Sequence, residues 1–167
     1  MREDMVWNII SALVENKPGV LFRVSNMFRA RSFNIESLSV GPTEQLDLSR
    51  ITVTIDSDEH VTEQMVKQLR KLIDIVDVTR LAIDNTVYRE LALVKLKAVD
   101  PNTRMEIINL ATVFRGKVVD VSKSSIMVEI TGTPDKIDAF RSLVEHYGVI
   151  QLARTGVSAL PRGAVYE

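Results

Sequence analysis

The apolar positions of this chain switch between a strand period and a helix period, and the same order of periods occurs twice. Trp7 to Val14 is a nearly continuous apolar run, as in a central strand covered on one or both faces. Val20 to Arg31 carries Leu21, Val24 and Phe28 at helical spacing, the stripe of an amphipathic helix. Phe33 to Val40 is a mixed strand ended by Gly41-Pro42, and Thr43 to Leu48 is a polar hairpin loop. Ile51, Val53 and Ile55 alternate with Arg50, Thr52 and Thr54, which predicts a half-buried strand. Ser57 or Asp58 caps a second helix whose stripe is Val61, Met65, Leu69 and Leu72. Asp58 and Glu59 suit its positive end, and Lys67, Arg70 and Lys71 its negative end. Ile75 to Leu81 is a further strand, so the predicted order is β-α-β-β-α-β.

Ala82 to Val87 carries the weakest periodicity and reads as a linker. Beyond it, Ala92, Val94, Leu96 and Ala98 share one strand face, and Asp100-Pro101 starts a helix with the stripe Ile107, Leu110, Ala111 and Phe114. Gly116 is its predicted end. Val119 and Val121 mark a strand, Ser122 to Ser124 a turn, and Ile126, Val128 and Ile130 a second strand. Thr133-Pro134 opens a last helix, with Ile137, Phe140 and Val144 inward and Gly148 after it, and Val149 to Arg154 closes the set. The prediction is an α+β protein of two ferredoxin-like β-α-β-β-α-β sandwiches in tandem, residues 1–82 and 88–160, with 161–167 as a tail. From Gly156 the chain is punctuated by Gly and Pro and is expected to be partly ordered at best.

Composition narrows the function. With 21 basic and 22 acidic residues in 167, there is no broad field to attract nucleic acid or an anionic membrane. Aromatics, at 5%, are too sparse for base-stacking platforms. The chain has no cysteine, so disulfides, thiolate metal sites and cysteine nucleophiles are excluded. No apolar run approaches the roughly 20 residues of a membrane span. Met1 to Met5 is charged and lacks a signal-peptide core, so the expected compartment is the cytoplasm. Nucleotide, metalloprotease and serine-hydrolase motifs are missing from the sequence. His60 and His146 lie in different halves and read as surface histidines. Asp56, Asp58 and Glu59 crowd together at a helix start, where capping explains them better than a cation. Arg23, Arg29 and Arg31 read as a solvated helix face rather than a phosphate site. The expectation is no catalytic residue and no metal site.

One stretch carries candidate chemistry. Glu15-Asn16-Lys17-Pro18-Gly19 lies between a strand and a helix, and Gly19 lets backbone or ligand come close. The helix points its free N–H groups back at this loop. On local physics the loop is either a tight connection or a small seat for a carboxylate or phosphate. Asn16-Lys17-Pro18-Gly19-Val20-Leu21, followed by Phe33-Asn34-Ile35-Glu36-Ser37-Leu38, resembles the ACT domain, a ligand-binding module that senses amino acids. A longer set is more specific. Glu15 to Val40, Leu48-Ser49-Arg50, Phe114-Arg115-Gly116, Asp120-Val121 and Asp138-Ala139-Phe140 together resemble the small regulatory subunits of acetolactate synthase, in order along nearly the whole chain. The second half has Val99-Asp100-Pro101-Asn102 where the first has its loop, which assigns ligand sensing to the first half.

The resemblance implies a non-catalytic regulator. It would activate a thiamine-diphosphate-dependent large subunit and confer feedback by valine, or a related amino acid, in branched-chain amino-acid biosynthesis. It would carry no cofactor of its own; thiamine diphosphate, Mg and FAD would belong to the large subunit. A homodimer joined through the ACT domains would place the pocket between two copies. Backbone N–H groups of Gly19, Val20 and Leu21 would then meet the effector carboxylate, the amide oxygens of Asn16 and Asn34 its ammonium, and Val20, Leu21 and Ile35 its side chain. On the residues alone, Asn16 and Asn34 are turn residues and the apolar groups are core. Phe22 departs from the small residue usual in the family just after the loop. The competing expectations are a stand-alone ACT sensor acting on another enzyme or a transcription factor, and a small enzyme on the same fold, against which the missing catalytic set argues.

Overall fold

The computed structural model describes residues 6–163; the charged start at Met1–Met5 and the end of the predicted tail, 164–167, lie outside the described residues. The described chain divides into two units: residues 6–87 together with 156–163, and Tyr88–Thr155. Each unit folds as β-α-β-β-α-β on an antiparallel sheet.

In the first unit the elements are β1 (Val6–Glu15), α1 (Val20–Ala30), β2 (Ser37–Pro42), β3 (Leu48–Ser57), α2 (Glu59–Leu69) and β4 (Ile75–Leu81). Its sheet has the order β2-β3-β1-β4, with β1 antiparallel to β3 from Val6↔Ser57 to Glu15↔Leu48. Strand alternation puts Ile10, Ala12, Val14, Ile51, Val53 and Ile55 on the helix side, against Val24 and Phe28 of α1 and Met65 and Leu69 of α2. Burial of this apolar surface is the main force holding the helices to the sheet. Asp58 caps α2, its Oδ1 accepting the Val61 N–H at 2.8 Å, and Glu59 pairs with Arg80. Among the described residues no group of acidic and histidine side chains is arranged to hold a metal ion.

The second unit is carried by β5 (Thr86–Lys97), which enters from the first, then α3 (Pro101–Val113), β6 (Lys117–Val121), β7 (Ser125–Gly132), α4 (Pro134–Val144) and β8 (Val149–Arg154), along the sheet path β6-β7-β5-β8. Ala92, Val94, Leu96, Ile126, Val128 and Ile130 face Ile107, Ala111, Ile137, Phe140 and Val144. Phe114 meets Phe140 edge-on, with centroids 5.4 Å apart.

Several local expectations change. The strand placed at Phe33 to Val40 begins only at Ser37 and runs through Gly41 and Pro42. The stripe of α1 is Val20, Val24 and Phe28; Leu21 is 42% exposed. Thr62, not Val61, is buried in α2. Thr52 and Thr54 are buried, so β3 is covered on both faces near its centre. Arg115, not Gly116, takes the left-handed conformation after α3, with φ 53°. Gly116 is small for another reason: a Cβ there would lie 3.0 Å from the Glu129 carbonyl oxygen. The largest change is at the chain end. Residues 156–163 belong with the first unit rather than with a second domain reaching 160. They form β9 (Ser158–Pro161), bury Val157 and Ala159, and donate the Arg162 N–H to the Asn85 carbonyl at 2.8 Å. A four-residue strand between Gly156, Pro161 and Gly163 is too short to show a period in the sequence.

Candidate functional site

The loop after β1 is fixed by its backbone. Glu15 N–H donates to the Asp74 carbonyl at 2.9 Å, and Asn16 N–H to the Asp47 carbonyl at 2.7 Å. Gly19 then takes φ +87°, a left-handed conformation open to glycine at little cost, and becomes the N-cap of α1. Having no side chain, it makes no cap hydrogen bond. The first helical bond runs from Arg23 N–H to the Gly19 carbonyl at 3.1 Å. The N–H groups of Leu21 and Phe22 precede it and have no intrahelical acceptor. At the equivalent turn of the second unit, Asp100 caps α3. Its Oδ1 accepts the Thr103 N–H at 2.9 Å and its Oδ2 the Thr103 hydroxyl at 2.7 Å. The Thr103 N–H holds the Asp100 carboxyl below its ordinary range. A carboxylate of the chain itself thus closes the start of α3, whereas no side chain closes the start of α1.

Arg23 stands over that opening. A helical side chain leans toward the N-terminus, so an arginine one turn in returns to the first residues. Its Nε and Nη2 donate to the two carboxylate oxygens of Asp74 at 2.5 and 2.7 Å. Asp74 is buried, and the hydrogen bond from Arg23 holds its carboxyl below the ordinary value against the opposing effect of desolvation. The remaining Nη1 lies 3.3 Å from the position a Cβ on Gly19 would take. Lys17 pairs with Glu15 at 2.9 Å. The loop therefore holds two cations and two carboxylates, and directed N–H donors rather than net charge favour an anion there. The sequence pattern places Arg23 on a solvated helix face and gives Asp74 no role. The available signal was an arginine four residues after the loop glycine.

The six predicted site residues fall into two groups. Asn16 is exposed, and its Nδ2 donates to the Leu46 carbonyl at 3.3 Å, which leaves Oδ1 as the atom able to accept. Gly19 forms the cap. The Val20 side chain belongs to the core, 4% exposed, so Val20 offers the site its backbone only. Leu21, with Phe22 at 69% exposure, presents the apolar surface at the helix start. Asn34 is exposed, with Nδ2 3.5 Å from Glu36 Oε1, and Ile35 is half-buried against the first core. These two lie elsewhere. β1 and β2 are both antiparallel to β3 and so run the same way, with α1 returning between them. The Asn16–Leu21 group sits where α1 begins and Asn34–Ile35 just beyond where it ends. An 11-residue helix separates them by roughly 16 Å. One chain does not bring the two groups together.

Residues 10–77 match the family described as the AHAS small subunit-like ACT domain, and residues 89–163 the family described as the small subunit of acetolactate synthase. The chain is 49% identical over 154 residues to the acetolactate synthase small subunit of Mycolicibacterium smegmatis, covering 92% of this chain and 90% of that one. It is 45% identical over 154 residues to the corresponding protein of Mycobacterium leprae, with the same coverage. The crystal structure of the acetolactate synthase small subunit from Thermotoga maritima superposes with a TM-score of 0.88 at 40% identity, over 96% of this chain and 99% of that one. With two family matches that together span most of its length and relatives aligned nearly end to end, this chain belongs to the acetolactate synthase small-subunit family.

Proposed function

We propose that this protein is a regulatory subunit that activates a thiamine-diphosphate-dependent acetolactate synthase large subunit and makes it sensitive to valine. The observation that carries the reading is the open start of α1 at Gly19, beside Arg23 Nη1, against the self-capped start of α3 at Asp100. An α-amino acid supplies the carboxylate that such a start accepts. Its ammonium is neutralised by amide oxygens, and its branched side chain lies on Leu21 and Ile35. Because Asn34 and Ile35 lie at the far end of α1, they come from a second copy, so the working unit is a homodimer joined through the first units. Asn16, Gly19, the Val20 backbone and Leu21 of one copy face Asn34 and Ile35 of the other.

The chain does no chemistry of its own in this reading. Thiamine diphosphate, Mg and FAD are held by the large subunit, and the complex acts in the cytoplasm. The large subunit is assayed for acetolactate formation from pyruvate with and without this chain, across a valine titration. Expected are no product from the chain alone, a higher rate on its addition, and inhibition by valine only in its presence. Acetolactate made by the chain unaided, or no effect on any large subunit, sinks the proposal. Valine binding without an effect on the synthase would instead mark a stand-alone sensor.

A further inference from the structure

The segment that follows Thr155 touches the first unit at one particular place. An added Cβ on Gly156 would lie 2.4 Å from the Leu38 carbonyl oxygen, 2.5 Å from its carbon and 2.9 Å from the Ser39 nitrogen. Backbone lies on backbone here, and only glycine fits. The next residue, Val157, is fully buried and donates its N–H to Ser37 Oγ at 3.3 Å. Ser37 Oγ in turn shares a 2.7 Å hydrogen bond with Thr54 Oγ1. Among the described residues β2 is an edge strand, with β3 as its sheet neighbour. Its first residues are therefore held by two things: the ladder to β3 and the strap formed by Gly156 and Val157.

Those first residues matter because of what precedes them. Asn34 and Ile35 are separated from Ser37 by Glu36 alone, whose N–H donates to the Thr54 carbonyl at 2.9 Å. Neither lies in regular secondary structure, so their placement is inherited from the start of β2. We infer that Gly156 and Val157 are positioning residues of the effector site: they set the wall formed by Asn34 and Ile35, the one that reads the ammonium and the side chain, and leave the carboxylate seat at Gly19 untouched. This rests on the effector reading above.

The test exploits that division. L-Valine and isovalerate share carboxylate and side chain, but isovalerate has no ammonium. Binding of each to the purified full chain is measured by calorimetry for wild type, Gly156→Ala and Val157→Ala. Wild type should prefer valine. Gly156→Ala forces the strap off Leu38 and should weaken valine by about 10- to 100-fold, the range for losing hydrogen bonds to a charged group, while isovalerate, which meets that wall only through Ile35, weakens less. The preference for the ammonium collapses. Val157→Ala adds no clash, keeps the fold, and should lower the preference in the same direction by about 3-fold. If Gly156→Ala does not fold, Val157→Ala decides by the same criterion. Equal weakening of both ligands, or no weakening of either, overturns the inference and leaves the effector reading standing. If wild type binds no valine, the effector reading fails first and the inference falls with it.

Discussion

Arg23 and Asp74 meet side-on, Nε to Oδ2 at 2.5 Å and Nη2 to Oδ1 at 2.7 Å, and this pair joins the first turn of α1 to the residue before β4. The Asp74 carbonyl also receives the Glu15 N–H, so one residue secures both ends of the loop between β1 and α1. Its carboxyl is held below the ordinary carboxylate value of about 4, chiefly by Arg23. A depressed native pKa stabilises the fold above the unfolded value, and the contribution is lost as pH falls through the native one. Asp74→Asn should therefore unfold at a lower temperature than wild type at pH 7. The gap should stay constant down to about pH 4 and close below it. Melting curves at pH 7, 5 and 3 check this; a gap as wide at pH 3 as at pH 7 would show that Asp74 is not the titrating group.

Gly19→Asp should remove feedback and spare the fold. Asp is among the few residues other than Gly that enter the left-handed region routinely, so the backbone tolerates it for about 1–2 kcal/mol. Its carboxylate, starting from a Cβ 3.3 Å from Arg23 Nη1, would take the place proposed for the effector carboxylate. A loss of about 2–4 kcal/mol, or roughly 30- to 1000-fold in valine affinity, is expected. The complex with the large subunit should stay active and resist valine, and Asn34→Ala should do the same more mildly. Wild-type inhibition by valine in Gly19→Asp would mean the pocket lies elsewhere. Loss of activation as well would mean that feedback and activation share a surface.

Val20 and Leu21 are neighbours with opposite expected phenotypes. Val20 is 4% exposed, so Val20→Ala removes two buried methyl groups and should cost about 2 kcal/mol in denaturant unfolding. Leu21 is 42% exposed, and Leu21→Ala should change stability by no more than about 0.5 kcal/mol while weakening valine binding. Reversed phenotypes would place the core and the ligand surface on the wrong sides of α1.

The dimer is tested by mass. At micromolar concentration sedimentation should give twice the 18.8 kDa of the chain. A monomer in the presence of saturating valine would contradict a pocket shared between copies.

Both sheets were legible in the sequence because their inward positions alternate cleanly, from Ile51, Val53 and Ile55 to Ile126, Val128 and Ile130. The loop glycine was legible because proline and asparagine surround it. Other features depend on contacts between residues distant in sequence. Nothing near Thr52 and Thr54 announces their burial; Thr54 bonds Ser37 Oγ, which also takes the Val157 N–H from far along the chain. The role of Val20 turned on a helix phase one residue away from the stripe through Leu21. Asp74 lies in an ordinary apolar segment, and only the return of Arg23 over Gly19 gives it a role.

The first unit is discontinuous along the chain: it runs to Val87 and resumes at Gly156, so Tyr88–Thr155 stands to it as an insert in a host. The two ends of the insert are tied together, Thr155 N–H to the Leu91 carbonyl at 2.9 Å and Leu91 N–H to Thr155 Oγ1 at 3.0 Å. A chain cut simply at Val87 would lose the buried Val157 and Ala159. A sensing module is better obtained by excision, joining Val87 to Gly156 through a bridge of about 4–6 residues, enough to span the roughly 13 Å from Val87 to Leu91. Such a splice would test whether the proposed effector recognition needs the insert at all.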